Sequence, residues 1–284
     1  MFSIPKPILL ERLRRYLDLD IGFGDLSSGF IPKEEIGKAK IISKSHILGI
    51  VAGAEEANLL FEDAGIKVIP HIKDGEKIKT GDILMELEGN LRNILAVERT
   101  ALNFLMKLSS IATSTYDLVQ KIQNEGLKTK IAATRKTTPG FGWFEKKAVY
   151  LGGGDTHRWN LSDMVMFKDT HLKFYKGDIG KLLKFAKNQL SFSKKIEIEI
   201  EKAGEVIEAA ENGADIIMFD NMSPDQIINS LSLIKDRSHI IFEASGNIDA
   251  ENLLDYAKTG VDVISTSSTI FNPQKKMDYS LKLL

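Results

Sequence analysis

The chain has 284 residues, with 38 basic and 39 acidic side chains, a formal charge of −1 and no cysteine. The charge balance excludes a general nucleic-acid or membrane-surface binder, so any cationic site must be a local concentration. The missing cysteine excludes disulfides, thiolate metal sites and cysteine nucleophiles. No apolar run is long enough to span a bilayer, and the first residues lack the order of a signal peptide, so a cytoplasmic protein is expected.

Taken in order, residues 7–19 read as a short helix, followed by a turn at Gly22-Phe23-Gly24-Asp25. From 38 to 90 the pattern is strand-like: KAKIISKS, LGIVAG and KVIPHIKDGEKIKTGDILMELEG. The turns at Asp74-Gly75 and Thr80-Gly81 separate short alternating segments, which predicts an antiparallel sheet. Residues 54–65 between them have helical spacing. From Val97 to Ile122 apolar residues recur at helical spacing, predicting one long helix that bridges two domains.

Beyond that helix a short apolar strand, a polar strand end and a helix repeat. The predicted strands are 130–134, 164–168, 195–200, 214–220, 239–245 and 262–267. Strands alternating with helices imply a parallel sheet, and no Gly-x-Gly-x-x-Gly follows the first strand. A complete or partial α/β barrel is therefore expected. The tail NPQKKMDYSLKLL after Phe271 is amphipathic and is expected to pack back on the first module.

An α/β barrel carries its site at the C-terminal strand ends. Those ends read Thr134-Arg135-Lys136, Lys168-Asp169, Glu199, Asp220-Asn221, Glu243-Ala244-Ser245 and Thr266-Ser267. In KIEIEIEK, period-two alternation puts Ile196, Ile198 and Ile200 on one face and Glu197, Glu199 and Glu201 on the other. Either the glutamates face the barrel axis and meet a cation or metal, or the strand is an edge with solvated glutamates. Asp220 on the next strand favours the first reading. The segment 134–159 places Arg135-Lys136, a Pro-Gly turn, three consecutive glycines and His157-Arg158 in one crossover, as an anionic ligand requires. Its bland alternative is a loop of solvated charges. Arg99 reads by itself as a surface or interface arginine, and His171 as either a capping or a site residue. The stretch GEKIKTGDIL is similar to a biotin-carrier turn but has no modifiable lysine motif after it.

The segments ERTALNFLMKLSSIAT (98–113), TRKTTPG (134–140), EKKAVYLGGGDTHRWNLSDMVMFKDTH (145–171), EIEIE (197–201), GADIIMFDNMSP (213–224), EASGNI (243–248) and TGVDVIS (259–265) resemble the quinolinate phosphoribosyltransferase family, in the family's order. The resemblance implies an N-terminal open α/β sandwich (1–107, joined by the tail 270–284) and an incomplete parallel α/β barrel (108–269). It implies a homodimer, or a higher even-numbered oligomer, with a shared site. It places Arg99, from a partner subunit, with Arg135, His157, Arg158 and Lys168 around the carboxylates of quinolinate. Lys136 would sit by phosphoribosyl pyrophosphate, Ser245, Gly246 and Ser267 near phosphate, and Glu199 and Asp220 at Mg²⁺ and the ribose hydroxyls. Lys136, Glu199 and Asp220 are the expected catalytic residues, and no nucleic-acid or membrane partner is implied.

The chain departs from the family pattern at four places. Phe141-Gly142-Trp143 stands where an arginine usually follows the Pro-Gly turn, Thr170 replaces an asparagine, and Asn247 replaces a glycine. The family's Gly-Ala-x-x-His loop is replaced by Thr266-Ser267-Ser268-Thr269-Ile270-Phe271. This last loop is similar to that of the ModD proteins, phosphoribosyltransferase paralogues associated with molybdenum transport, which supply the alternative reading. A non-catalytic anion binder is a third, disfavoured because binding alone does not require the two metal carboxylates.

Overall fold

The computed structural model describes residues 4–284, which form two compact units. The first comprises residues up to Tyr116, with Phe144–Gly153 and Pro273–Leu284; the second comprises Asp117–Trp143 and Gly154–Asn272. The sequence boundary at 107 falls inside one continuous helix, which passes from one unit to the other at Tyr116 and Asp117.

The first unit begins with α1 (Lys6–Ile21), and a single turn of 3₁₀ helix covers Ser28–Phe30. Then come β1 (Ile36–Ser43), β2 (Gly49–Ile50), α2 (Ala54–Asp63), β3 (Lys67–Pro70), β4 (Lys77–Ile78), β5 (Ile83–Asn90) and the long helix α3 (Leu91–Asn124). Strand β12 (Tyr279–Leu283) completes a four-stranded antiparallel sheet in the order β12-β1-β5-β3. Period-two alternation buries Ala39, Ile41 and Ser43 of β1. Helix α1 buries Leu9 and Leu13, α2 buries Leu60 and Phe61, and Arg14 on α1 donates to Asp63 on α2 at 2.8 Å.

The expected strand at 48–53 is cut to Gly49–Ile50, paired with β4. The reason lies in α3, whose Leu-Ser-Ser-Ile-Ala-Thr-Ser-Thr run puts buried hydroxyls on one stripe. Thr113 accepts the Ile50 amide (2.9 Å) and Ser109 the Ala52 amide (3.0 Å). Ser114 accepts from the Lys275 amide (3.0 Å) and Ser110 from the Met277 amide (2.9 Å), while the Tyr279 hydroxyl lies 3.0 Å from that of Ser109. A helix side-chain ladder thus satisfies backbone donors that no strand partner serves. It also seats the returning tail, as its amphipathic pattern predicted.

From Phe144 onward α4 (Gly142–Leu151) belongs to this unit, where Phe144 packs edge-on against Tyr16 and Phe104. Gly152 ends it against α3: a Cβ there would collide with the Ala112 carbonyl. That close approach explains one member of the triple-glycine run without any ligand. Lys147 reaches Glu55 (2.7 Å), Glu56 (2.8 Å) and Asp74 (3.0 Å). Glu56 is wholly buried, and burial, opposed by Lys147, pushes its carboxyl up to about 7.

The second unit contains β6 (Lys130–Ala132), β7 (Val165–Phe167), α5 (Asp169–Phe174), α6 (Ile179–Gln189), β8 (Ile196–Ile200), α7 (Glu205–Glu211), β9 (Ile216–Asp220), α8 (Pro224–Ser232), β10 (Ile241–Ser245), α9 (Leu253–Ala257), β11 (Val263–Ser265) and α10 (Ser268–Phe271). Every strand predicted after the long helix is present, shortened at its ends. The six pair in the order β6-β11-β10-β9-β8-β7, all parallel. Asp155 adds one further parallel bridge to Ala132, but no ladder joins it to β7. The barrel is therefore incomplete, as the resemblance implied.

Its core lies between strands and helices. Ile196, Ile198, Ile200, Ile217, Phe219, Phe242 and Ala244 pack with Val206, Ile227, Leu231 and Leu253, and Phe219 stacks on Phe242 with centroids 6.1 Å apart. Each buried isoleucine or phenylalanine contributes about 1.5–3 kcal/mol, so the apolar face of β8 fixes its other face toward the axis.

Lys147→Met is expected to destabilise the protein by about 3–5 kcal/mol at neutral pH in urea unfolding, because three carboxylates lose their shared cation. The Glu56 carboxyl is raised when folded, so the folded protein binds more protons than the unfolded chain between about pH 4.5 and 7. Glu56 itself therefore makes the wild type lose stability as pH rises through that window. The variant is expected to lose more steeply there, and the gap between the two proteins to narrow toward pH 4.

Candidate active site

The alternation on β8 delivers its glutamates to the barrel axis. Ile196, Ile198 and Ile200 are buried in the helix-facing core, Glu197 is fully buried, and the Glu199 side chain is 12% exposed. A cleft of about 560 Å³ opens at the C-terminal strand ends. Arg135, Lys136, His157, Arg158, Lys168, Glu199, Asp220, Ser245 and Gly246 all line it. Two acids therefore share one cleft with the cations of the β6-to-β7 crossover. The solvated-edge reading fails for Glu197 and Glu199 and the solvated-loop reading for His157 and the buried Arg158, whereas Arg135 and Lys136 are exposed.

Lys168 donates to Glu199 at 2.8 Å. Burial raises the Glu199 pKa, Lys168 works against that rise, and Asp220 is near enough to add to it. Arg158 is buried, and its charge is felt by Glu197, Arg135 and Glu199. His157 extends Nε2 to Glu243 (3.1 Å) and Glu197 (3.4 Å). The opposing influences on its ring are burial, which lowers its pKa, and the two glutamates, which prevail and push it up to about 10. The Arg158 amide, aimed at Nδ1 from 2.8 Å, works with burial. Both protonation states keep the Nε2 hydrogen that Glu243 accepts.

The backbone is held in unusual conformations at this cleft. Among the described residues, four non-glycine positions have positive φ: His157 (52°), Lys176 (55°), Asn221 (53°) and Asn247 (53°). Three of them line the cleft, which is where such conformations collect when the surroundings impose them. Asn247, in place of the family's glycine, fits because asparagine tolerates the left-handed region. Gly246 has φ 102°, and a Cβ on it would meet the Asn221 side chain and, at 2.9 Å, its amide nitrogen. The chain after β10 is thereby pressed onto the end of β9, and the Asn221 amide donates to the Ser245 carbonyl at 2.9 Å.

The other expected residues lie elsewhere. Arg99 belongs to the first unit, exposed on α3. Ser267 is not among the lining residues; Ser265 is. The Thr266 hydroxyl lies 2.6 Å from the Ile248 carbonyl and accepts the Ser268 amide at 3.0 Å, so the altered loop braces the start of α10. His171 takes the capping role: its Nδ1 accepts the Lys168 amide at 3.0 Å. Sequence reasoning placed Glu243 and Asn221 at strand ends and Glu197 on the face opposite the isoleucines, but assigned none of them a role. The signal for Glu243 was its two-residue spacing from Ser245, which puts both on one strand face. The signal for Glu197 was the same spacing from Glu199.

Profiles of the quinolinate phosphoribosyl transferase N-terminal and C-terminal domains match residues 20–109 and 111–282. The chain belongs to the quinolinate phosphoribosyltransferase family. It is 43% identical over 265 residues to the probable nicotinate-nucleotide pyrophosphorylase [carboxylating] of Archaeoglobus fulgidus, covering 92% of this chain and 99% of that one. The similarly named protein of Methanothermobacter thermautotrophicus is 42% identical over 263 residues, covering 90% and 92%. The nicotinate-nucleotide pyrophosphorylase structure from Francisella tularensis superposes with a TM-score of 0.91 at 35% identity, covering 100% of this chain and 98% of that one. These relatives give the ModD-like alternative no support.

Gly246→Ala is expected to cost about 1–3 kcal/mol in equilibrium unfolding, combining left-handed strain with the collision at Asn221. Gly29→Ala, whose added carbon would meet nothing within 4 Å, is expected to stay within about 0.5 kcal/mol of wild type.

Proposed function

We propose that the protein is a carboxylating nicotinate-nucleotide pyrophosphorylase of NAD biosynthesis, converting quinolinate and phosphoribosyl pyrophosphate to nicotinate mononucleotide, pyrophosphate and CO₂. One observation carries the reading: a buried arginine, further cations and two carboxylates line one cleft of a family member.

Arg135, Arg158 and Lys168 hold the carboxylates of the acceptor, the arginines by paired hydrogen bonds. The pyridine nitrogen attacks C1 of the ribose, and the C1–oxygen pair leaves with pyrophosphate. Positive charge that develops on the ribose faces Glu199 and Asp220, and Lys136 stabilises the leaving group. The bond to the adjacent carboxylate then breaks, its electron pair enters the cationic ring, and a proton replaces the lost CO₂. No protein nucleophile is required, in keeping with the absence of cysteine.

The donor set suits Mg²⁺: Glu199 and Asp220 offer hard carboxylate oxygens, close enough to influence each other, at the rim of the cleft. When bound with pyrophosphate, the ion would neutralise the leaving group's charge. The proposed assembly is a homodimer in which Arg99 of one subunit completes the acceptor site of the other; its exposure on α3 is compatible with that role.

Purified protein with quinolinate, phosphoribosyl pyrophosphate and Mg²⁺ is expected to release CO₂ and nicotinate mononucleotide in equal amounts. EDTA should abolish turnover, and Lys136→Ala or Glu199→Ala should lower kcat by about 10²–10³-fold. Wild-type protein that yields no nucleotide at saturating substrates would reject the assignment. Mixing Arg99→Ala with Lys136→Ala protein should restore part of the activity that each lacks. A mixture as inactive as its components would reject the shared site.

A further inference from the structure

We propose that Glu243 and Glu197 are positioning residues that form the floor of the acceptor pocket by anchoring the imidazole of His157 through its Nε2 hydrogen. The inference rests on the reading of this cleft as the acceptor site, and it goes beyond that reading by assigning work to two carboxylates that touch neither substrate nor metal in the mechanism above.

Three observations support it. First, His157 is fixed from every side. Its own amide donates to Asp155 Oδ1 at 2.8 Å, the Arg158 amide points at Nδ1 from 2.8 Å, and Nε2 faces Glu243 and Glu197. These contacts hold a residue whose φ of 52° is unfavourable for histidine. Because Arg158 follows directly, whatever fixes His157 also aims the buried arginine.

Second, the glutamates are more deeply buried than any function in open solution would need, at 0% and 1% exposure. Carboxylates so placed cost several kcal/mol unless a donor or cation meets them. The Nε2 hydrogen meets Glu243, while Glu197 lies 3.4 Å from Nε2 and feels the charge of Arg158. The separation of 3.1 Å between Nε2 and Glu243 is that of a hydrogen bond.

Third, the same layer divides the interior of the incomplete barrel. His157, Arg158 and Glu243 line the catalytic cleft, and they also line a second hollow of about 400 Å³ bounded by Lys130, Lys195 and Ile241 at the starts of the strands. The anchored imidazole is thus a polar partition across the axis. Without it the two hollows would run together, and an acceptor lying against Arg158 would lose its floor.

The test uses the full chain carrying ¹⁵N-labelled histidine. Wild type should show a downfield, slowly exchanging Nε2 hydrogen, assigned by its loss in His157→Asn. Glu243→Leu, an apolar replacement of similar volume, should shift that resonance upfield and speed its exchange. It should also raise KM for quinolinate by about 10-fold or more, the usual scale for outer-shell anchors, with KM for phosphoribosyl pyrophosphate changed less than about twofold. Glu243→Gln keeps an acceptor oxygen and should recover most of the quinolinate affinity. If Glu243→Leu does not fold, Glu243→Gln and Glu197→Gln carry the spectroscopic comparison.

An Nε2 resonance unchanged in every glutamate variant would overturn the proposal, as would equal rises in both KM values. So would uptake of one equivalent of Zn²⁺ that removes the resonance, since the triad would then be a metal site. Because the resonance is read on free protein, a wild type inactive on quinolinate would reject the assigned reaction and leave the anchor to be decided by the spectra.

Discussion

The second unit depends on the two-sidedness of one strand. In β8, isoleucines every second residue must enter the layer between strands and helices, and the residues between them have no choice but the barrel axis. Two alternating glutamates, Glu197 and Glu199, therefore become a demand: the axis must supply donors and cations. The crossover after β6 meets it with His157 and Arg158, and Lys168 follows β7 for the same purpose. The arrangement of charge in the cleft follows from packing on the other side of the sheet. A one-residue slip of β8 would bury the glutamates in the apolar layer and expose the isoleucines to the axis. The catalytic geometry and the fold thus share a single register.

Much of this was legible in the residues. Period-two and helical spacing located all six barrel strands and the long helix, because burial patterns there are dictated by regular geometry. Their ends were less legible: β8, β9 and β10 close where the pattern ends, at Ile200, Asp220 and Ser245, but begin one or two residues later than it does. The segment at 48–53 was only partly legible, because it is buried from Gly49 to Gly53 and its Ile50 and Ala52 amides donate to hydroxyls of a helix far along the chain. No local pattern reveals such a partner. The cationic and acidic members of the cleft could be read as strand ends. Glu243 and Glu197 lay one layer deeper, where a carboxylate looks like an anomaly until its histidine partner is placed.

The loop from Thr266 to Phe271 teaches a related lesson. Read as a string, it lacks the histidine of the family and offers hydroxyls in its place. In the folded chain those hydroxyls divide their work. Thr266 and Ser268 are engaged with the backbone and with each other, while Ser265, a strand residue, faces the cleft. Substitution in a loop therefore need not report a change of substrate. It can report a change in how a helix start is braced, and only the direction of each side chain distinguishes the two. Asn247 behaves similarly: a departure by residue type, it preserves the backbone conformation that the family's glycine permits.

The antiparallel sheet of the first unit has a consequence in time. Strand β1 is bordered by β5, made some forty residues later, and by β12, more than two hundred residues later. During synthesis from the N-terminus, β1 therefore has one open edge while the whole barrel is being made. Closing it involves contacts of high sequence separation, the kind that slow folding. The hydroxyl ladder on α3 is in place long before the tail emerges, and it offers the late strand a prepared seat. Maturation of this protein is thus ordered by its topology, with the barrel assembled while the first sheet still waits for its last strand.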